Sequence, residues 1–302
     1  MTLRILPFSL VDVFTRVPLS GNGLSMFLLD DELPAAALQR ITQEMRQFET
    51  IFLRRIDGTS TFDARIFTME EELPFAGHPV IGAAAVLHSE FFSAADSANL
   101  EFVIQGRSIF VTSRRQGVSY FAEMHQGVAT IETPLSPVRN ESFLKALNLS
   151  MADLATDLPL QVISTGLPYL IVPVRSNFEH ARIVVPHFEA LLATVGAKFV
   201  YVFDVEHRDG RTWDNDGRVE DVATGSAAGP AAVYLVTHKL AAIGESLVLA
   251  QGRFLDRPSE LHATVLGDSD LSVTVSGQVC FVGSGALRLP DQSLRATLGD
   301  VG

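Results

Sequence analysis

Ala76-Gly77-His78-Pro79-Val80-Ile81-Gly82-Ala83-Ala84-Ala85-Val86-Leu87 and Thr224-Gly225-Ser226-Ala227-Ala228-Gly229-Pro230-Ala231-Ala232-Val233-Tyr234-Leu235 follow one pattern. Each has a glycine near its start, then a polar residue, a Gly/Pro position and a run of small apolar residues. A helix that is small and apolar on every side has no solvent face and invites close approach by neighbouring backbone. Strand-like runs flank both segments. The pairing predicts two related halves, each a curved sheet around its own central helix.

Working outward, most of the chain reads as short apolar runs between turn signals. Ile51-Phe52-Leu53, Ser108-Ile109-Phe110-Val111-Thr112 and Leu271-Ser272-Val273-Thr274-Val275 are examples. The last alternates with period two, the mark of a half-buried strand. A further helix is expected from Pro34 to Gln47, with Leu38, Ile41 and Met45 at helical spacing and Pro34 suited to a first turn.

The bulk properties exclude several classes. A chain of 302 residues suggests two domains, and 47% hydrophobic against 19% charged residues supplies two cores. A net charge of −12 argues against a nucleic-acid partner, because phosphates need a basic face. The single cysteine, Cys280, cannot make an internal disulfide or a cysteine-rich zinc site, and its run Val279-Cys280-Phe281-Val282 reads as buried. No run approaches the ~20 apolar residues of a membrane span, so a cytoplasmic protein without a membrane partner is expected. The histidines show no metal-binding spacing, and no phosphate-loop or dinucleotide-loop motif is present, so no cofactor is expected.

The chemistry-bearing candidates gather at the two helix starts. Unpaired N–H groups and the positive end of the dipole lie at a helix N-terminus, which favours anions. Gly77 and Gly225 open the two helices, with His78 and Ser226 next to them. A histidine there has its cationic form disfavoured and acts as a neutral hydrogen-bonding group. Asp221, four residues before Gly225, can stand at the mouth of the second helix. Glu49 falls between the end of one helix and the start of an apolar strand. Desolvation at such a junction raises a carboxyl towards the range that general acid/base work requires.

Taken together these residues resemble the phenazine-biosynthesis PhzF family nearly from end to end. The matching strings are Asp12-Val13-Phe14, Val17-Pro18-Leu19-Ser20-Gly21-Asn22, Glu49-Thr50-Ile51-Phe52 and Arg65-Ile66-Phe67-Thr68. They continue with Glu72-Leu73-Pro74-Phe75-Ala76-Gly77-His78-Pro79, Ser164-Thr165-Gly166-Leu167-Pro168 and Glu220-Asp221-Val222-Ala223-Thr224-Gly225-Ser226-Ala227-Ala228-Gly229-Pro230. Gln251-Gly252 and Arg257-Pro258-Ser259 complete them.

The resemblance implies an α+β fold of two pseudo-symmetric, diaminopimelate epimerase-like halves. Each is a barrel-like, mostly antiparallel sheet around a central helix, with the active site between them. The expected halves are residues 1–128 with a C-terminal segment of about 285–302, carrying Glu49 and His78, and residues 129–284, carrying Asp221 and the Gly225-Ser226 helix start. Diaminopimelate epimerase works with two cysteines at positions matched here by Ala76 and Thr224, so that mechanism is unavailable. The family implies instead one glutamate acid/base, matched by Glu49, with Gly77, His78, Asp221, Gly225 and Ser226 binding the substrate. It further implies a cofactor-independent isomerase and a homodimer. The family's best-known activity is isomerisation of trans-2,3-dihydro-3-hydroxyanthranilate, a small carboxylate-bearing molecule.

Two other functions are weighed: a racemase or epimerase of an amino-acid-like substrate, which the missing thiols disfavour, and a non-catalytic binding homologue, which the intact Glu49, His78 and Asp221 disfavour. Around these positions the chain departs from the family pattern. Phe48 replaces a usual serine, Gly23 and Met69 replace prolines, Trp213 lies in an altered Arg-x-Phe-x-Pro segment, and Asp256 replaces a glycine. Such departures point to the same chemistry on a different molecule.

Overall fold

The computed structural model describes residues 3–56, 58–155 and 157–290. Two compact units emerge, one within Met1–Met124 and Gly277–Gly302, the other His125–Ser276. The boundaries expected from the sequence, 128/129 and about 285, fall a few residues beyond these, and the part of that expectation on residues 291–302 lies outside the described residues.

The first unit contains β1 (Leu3–Val13), β2 (Asn22–Leu28), α1 (Ala35–Met45), β3 (Glu49–Arg55), β4 (Thr61–Thr68) and the short β5 (Glu72–Leu73). Then come α2 (Gly77–Phe91), β6 (Ser97–Ile104), β7 (Arg107–Gln116) and β8 (Ser119–Val128). Strands neighbour one another in the order β1-β2-β3-β4-β6-β7-β8, followed by the final strand, Ser272–Pro290. That strand also pairs antiparallel with β1, from Leu3↔Pro290 to Val13↔Val279, and so closes an eight-stranded barrel. The pairs β2–β3 and β4–β6 are parallel, each spanned by a helical crossover.

The helix α2 is the barrel's filling. Every residue from Gly77 to His88 is buried. Gly82 makes this possible: a Cβ there would lie 2.6 Å from Leu24 Cδ2 and 2.9 Å from Val13 Cγ2. Pro79 lies in the first turn, where its missing N–H has no intrahelical acceptor to lose. The helix expected over 34–47 is α1, with Pro34 just ahead of it as the N-cap. Its buried Leu38 and Ile41 pack with Phe27, Phe52 and Phe67, and Phe27 stacks on Phe52 at 5.2 Å. Burying such aromatic rings contributes about 1.5–3 kcal/mol each.

The second unit holds β9 (Thr130–Ile131), α3 (Pro137–Ala146), β10 (Gln161–Ser164), β11 (Pro168–Val174), α4 (Phe188–Ala193) and β12 (Phe199–Asp204). They are followed by β13 (Asp209–Arg211), α5 (Gly225–Thr237), β14 (Ser246–Gln251), β15 (Ser259–Leu266) and the start of β16 (Ser272–Pro290). The strands run in order from β9 to β16. The ends of this curl meet through a backbone bond from Ala129 N–H to Leu271 O at 2.8 Å. As in the first unit, the central helix is buried through its first eleven residues, Gly225 to Leu235. The observed class is therefore the expected one, sheet-rich α+β with a buried helix in each half. One local reading changes. In the stretch expected to alternate, Thr274 on the polar face is buried along with Val273 and Val275, although Ser272 is only half-buried. Small hydroxyl side chains fit an interior position that the period-two rule assigns to solvent.

Candidate active site

In the first unit, α1 stops at Arg46, whose left-handed backbone (φ 54°) turns the chain and whose N–H bonds Thr42 O at 3.2 Å. Three residues later Glu49 opens β3, held between Leu24 of β2 and Thr68 of β4. Its side chain is only 8% exposed, so the junction seen in the sequence is an interior one. His78, in the first turn of α2, brings Nδ1 to 3.2 Å from Glu49 Oε2. The same Nδ1 lies 3.3 Å from Nδ2 of Asn22, at the start of β2 and itself buried. Burial lowers the His78 pKa to about 3, which makes the ring neutral at physiological pH. Its other nitrogen, Nε2, is buried and has no hydrogen-bond partner among the described residues. The N-cap residue of α2, Ala76, has no side chain able to cap it, which leaves the first-turn donors at the Gly77 end to other acceptors.

The second unit builds a denser polar cluster at the start of α5. Asp221 is buried, and its Oδ2 accepts a hydrogen bond from Thr224 Oγ1 at 2.5 Å. Thr224 is the N-cap residue but caps nothing; its hydroxyl holds Asp221 instead. Gln251 locks both: Nε2 donates to Asp221 O at 2.9 Å and to Thr224 Oγ1 at 3.0 Å, while Oε1 accepts from Thr224 N at 3.1 Å. Behind it, the Tyr201 hydroxyl donates to Gln251 Oε1 at 3.4 Å, and burial pushes the phenol up, away from ionisation. Gly210 leaves the room that the Tyr201 ring fills.

Gly225 and Ser226 are held from other strands. Gln126 Nε2 donates to Gly225 O at 2.7 Å, and Thr165 Oγ1 donates to Gln126 Oε1 at 2.7 Å. The Ser226 hydroxyl shares a 2.7 Å hydrogen bond with the Tyr169 hydroxyl of β11. Thus Glu49, Gly77 and His78 come together in the first unit, and Asp221, Gly225 and Ser226 in the second. Sequence reasoning placed Asn22, Thr165, Thr224 and Gln251 in motif strings without a role, and passed over Gln126 and Tyr169. Thr224 had a local signal, its place beside Gly225. Gln126 and Tyr169 had none, being 99 and 57 residues from the groups they hold. Among the described residues no three His, Cys, Asp or Glu side chains are placed to hold a metal ion, and no helix is long and apolar enough to cross a membrane.

Comparison with known proteins agrees with this architecture. The chain is 32% identical over 295 residues to the trans-2,3-dihydro-3-hydroxyanthranilate isomerase of Pseudomonas chlororaphis, covering 93% of this chain and 99% of that protein. A solved structure of a predicted epimerase from Pseudomonas aeruginosa superimposes with a TM-score of 0.87 at 48% identity, over 93% of this chain and 99% of the other. The fold alone is shared with a hydroxyproline epimerase from Agrobacterium vitis, at a TM-score of 0.64 and 12% identity over 100% of this chain and 97% of that one. The profile of the PhzC-PhzF family, described as phenazine biosynthesis-like protein, matches residues 11–285. With that match across nearly the whole chain, and the family's strings lying at both central helix starts, the chain belongs to the PhzC-PhzF family.

Proposed function

We propose that the protein is a cofactor-independent isomerase that moves a proton between two carbons of a small carboxylate-bearing substrate similar to trans-2,3-dihydro-3-hydroxyanthranilate. The observation that carries this reading is the buried Glu49 carboxyl, 3.2 Å from a neutral, buried His78 at the start of α2. A C–H next to a conjugated system gives up its proton slowly to water, so a base must be placed against it. Glu49 takes that proton as a carboxylate and returns it, as the acid, to another carbon of the conjugated system. The ring is neither oxidised nor reduced. Gly77, His78, Asp221, Gly225 and Ser226 bind and orient the substrate, with donors directed at the charge that builds up between the two transfers. The relatives' activity supports the reaction class. We take the active form as a cytoplasmic homodimer, which sedimentation and fractionation test.

The decisive experiment offers trans-2,3-dihydro-3-hydroxyanthranilate and related small unsaturated carboxylates to the protein in D2O. Solvent deuterium is expected at one carbon of the product, with activity unchanged by EDTA. Glu49→Gln keeps the shape and removes the base, so turnover and labelling should fall by several orders of magnitude. Near-native turnover in Glu49→Gln would overturn the assignment.

A further inference from the structure

We propose that Asn22 fixes His78 in its Nε2–H form, so that the first unit presents a hydrogen-bond donor and recognises an acceptor group of the substrate, such as a carboxylate or carbonyl oxygen. This rests on the reading of Glu49 and His78 as site residues and adds to it a residue that sets which substrate group can bind.

A neutral imidazole carries one proton, on Nδ1 or on Nε2, and the group facing one nitrogen decides the state of both. His78 is 3% exposed and neutral. At 3.3 Å from Nδ1 stands the amide nitrogen of Asn22, which can only donate. A donor facing Nδ1 requires a lone pair there, and the ring proton then sits on Nε2. That nitrogen is buried and has no partner among the described residues. A buried donor left unpaired costs about 1–3 kcal/mol, a debt that an incoming acceptor removes. A ligand offering only donors would leave it standing. Asn22 can play this part because it opens β2 in register with Val13, with its side chain buried.

The arrangement also bears on the proton carried by Glu49. Oε2 is 3.2 Å from the same Nδ1. A lone pair facing a carboxylate repels it and favours proton uptake from the substrate. Once Glu49 is the acid, its O–H can share the Nδ1 lone pair with the Asn22 amide until the proton is returned. With the opposite tautomer, Nδ1–H would stabilise the carboxylate and weaken the base.

The tautomer can be read without a substrate. The full chain is labelled with 15N-histidine, and long-range 1H–15N spectra are recorded at neutral pH, with the His78 signals identified by their loss in His78→Asn. A pyridine-type shift at Nδ1 and a pyrrole-type shift at Nε2 are expected. Asn22→Asp replaces the donor by an acceptor of the same shape, and Nδ1 should become protonated. A wild-type ring protonated at Nδ1 overturns the proposal, whether or not the variant folds. So does an Asn22→Asp ring that keeps a bare Nδ1. Neither result touches the assignment of Glu49, which stands or falls on the turnover of Glu49→Gln.

Discussion

Arg211 holds Glu220 at two points, Nε to Oε1 at 2.8 Å and Nη2 to Oε2 at 2.6 Å, five residues before α5 begins. Arg65 holds Glu72 with the same atoms at the same two distances, five residues before α2 begins. A planar guanidinium matches a carboxylate in this way as lysine cannot. Each unit therefore fixes the approach to its central helix with the same clamp, although the two sequences around it differ.

The clamps differ in burial, and that sets their worth. The Arg211 and Glu220 side chains are 8% and 10% exposed, against 30% and 27% for Arg65 and Glu72. Arg211 also donates to Phe178 O and Glu179 O, and its guanidinium lies 4.6 Å from the Phe254 ring centre. Arg211→Met strands a buried carboxylate and should cost about 3–5 kcal/mol in urea unfolding. Arg65→Met, with solvent close by, should cost about 1 kcal/mol. Equal losses would contradict this ranking.

Thr224 stands where the epimerase resemblance places a cysteine, and its hydroxyl serves Asp221. Thr224→Val keeps the shape but leaves Asp221 Oδ2 without this donor and Gln251 without one acceptor. A loss of about 1–3 kcal/mol in stability is expected. If Asp221 binds substrate, KM should rise in Thr224→Val, as in Asp221→Asn, and Thr224→Ser should restore both stability and KM. A Ser variant as poor as the Val variant would show that the hydroxyl alone does not carry the effect.

Gly229 lies against Gln126 Oε1, which Thr165 and the Gly225 carbonyl prevent from moving. Gly229→Ala should destabilise the protein by about 1–3 kcal/mol through overpacking. In a Gln126→Ala background the added methyl has room, so the two losses should not add. Additive losses in a double-mutant cycle would refute the contact.

His78 makes stability fall in acid. Its pKa is about 3 in the fold and 6.5 in the unfolded chain. Between those values the unfolded state binds the extra proton, so its contribution is intact above pH 6.5 and drains away as pH drops towards 3. The slope reaches at most about 1.4 kcal/mol per pH unit. His78→Asn should flatten the pH dependence of urea unfolding between pH 6 and 4, and an unchanged slope would show that the ring is not held neutral.

Much of this was legible in the sequence because it was local. The all-round smallness of Gly77–Leu87 and Gly225–Leu235 gave the buried helices, and Glu49 was visible at its helix–strand junction. Asp256, where the family resemblance leads one to expect glycine, does sit in the left-handed region (φ 54°) that glycine adopts freely. What stayed hidden was made by distant partners. A sequence does not show that Gln126 reaches Gly225, that Tyr169 reaches Ser226, or that two arginines make matching clamps. These pairings depend on strand register, which period-two patterns constrain only modulo the choice of neighbour.

The closing of the first barrel by β16 has a consequence for the order in which the protein is made. During synthesis, β1 emerges well before β16, its second partner, which lies more than 260 positions further along the chain, from Val13↔Val279 onward. The intervening stretch, His125–Ser276, is contiguous and can reach its native arrangement on the ribosome as it emerges. Until the last strand arrives, the nascent first unit has an unpaired strand edge beside β1, a site at which newly made chains can associate wrongly. Chaperone dependence should therefore belong to the amino-terminal unit, although most of it leaves the exit tunnel before the other unit does.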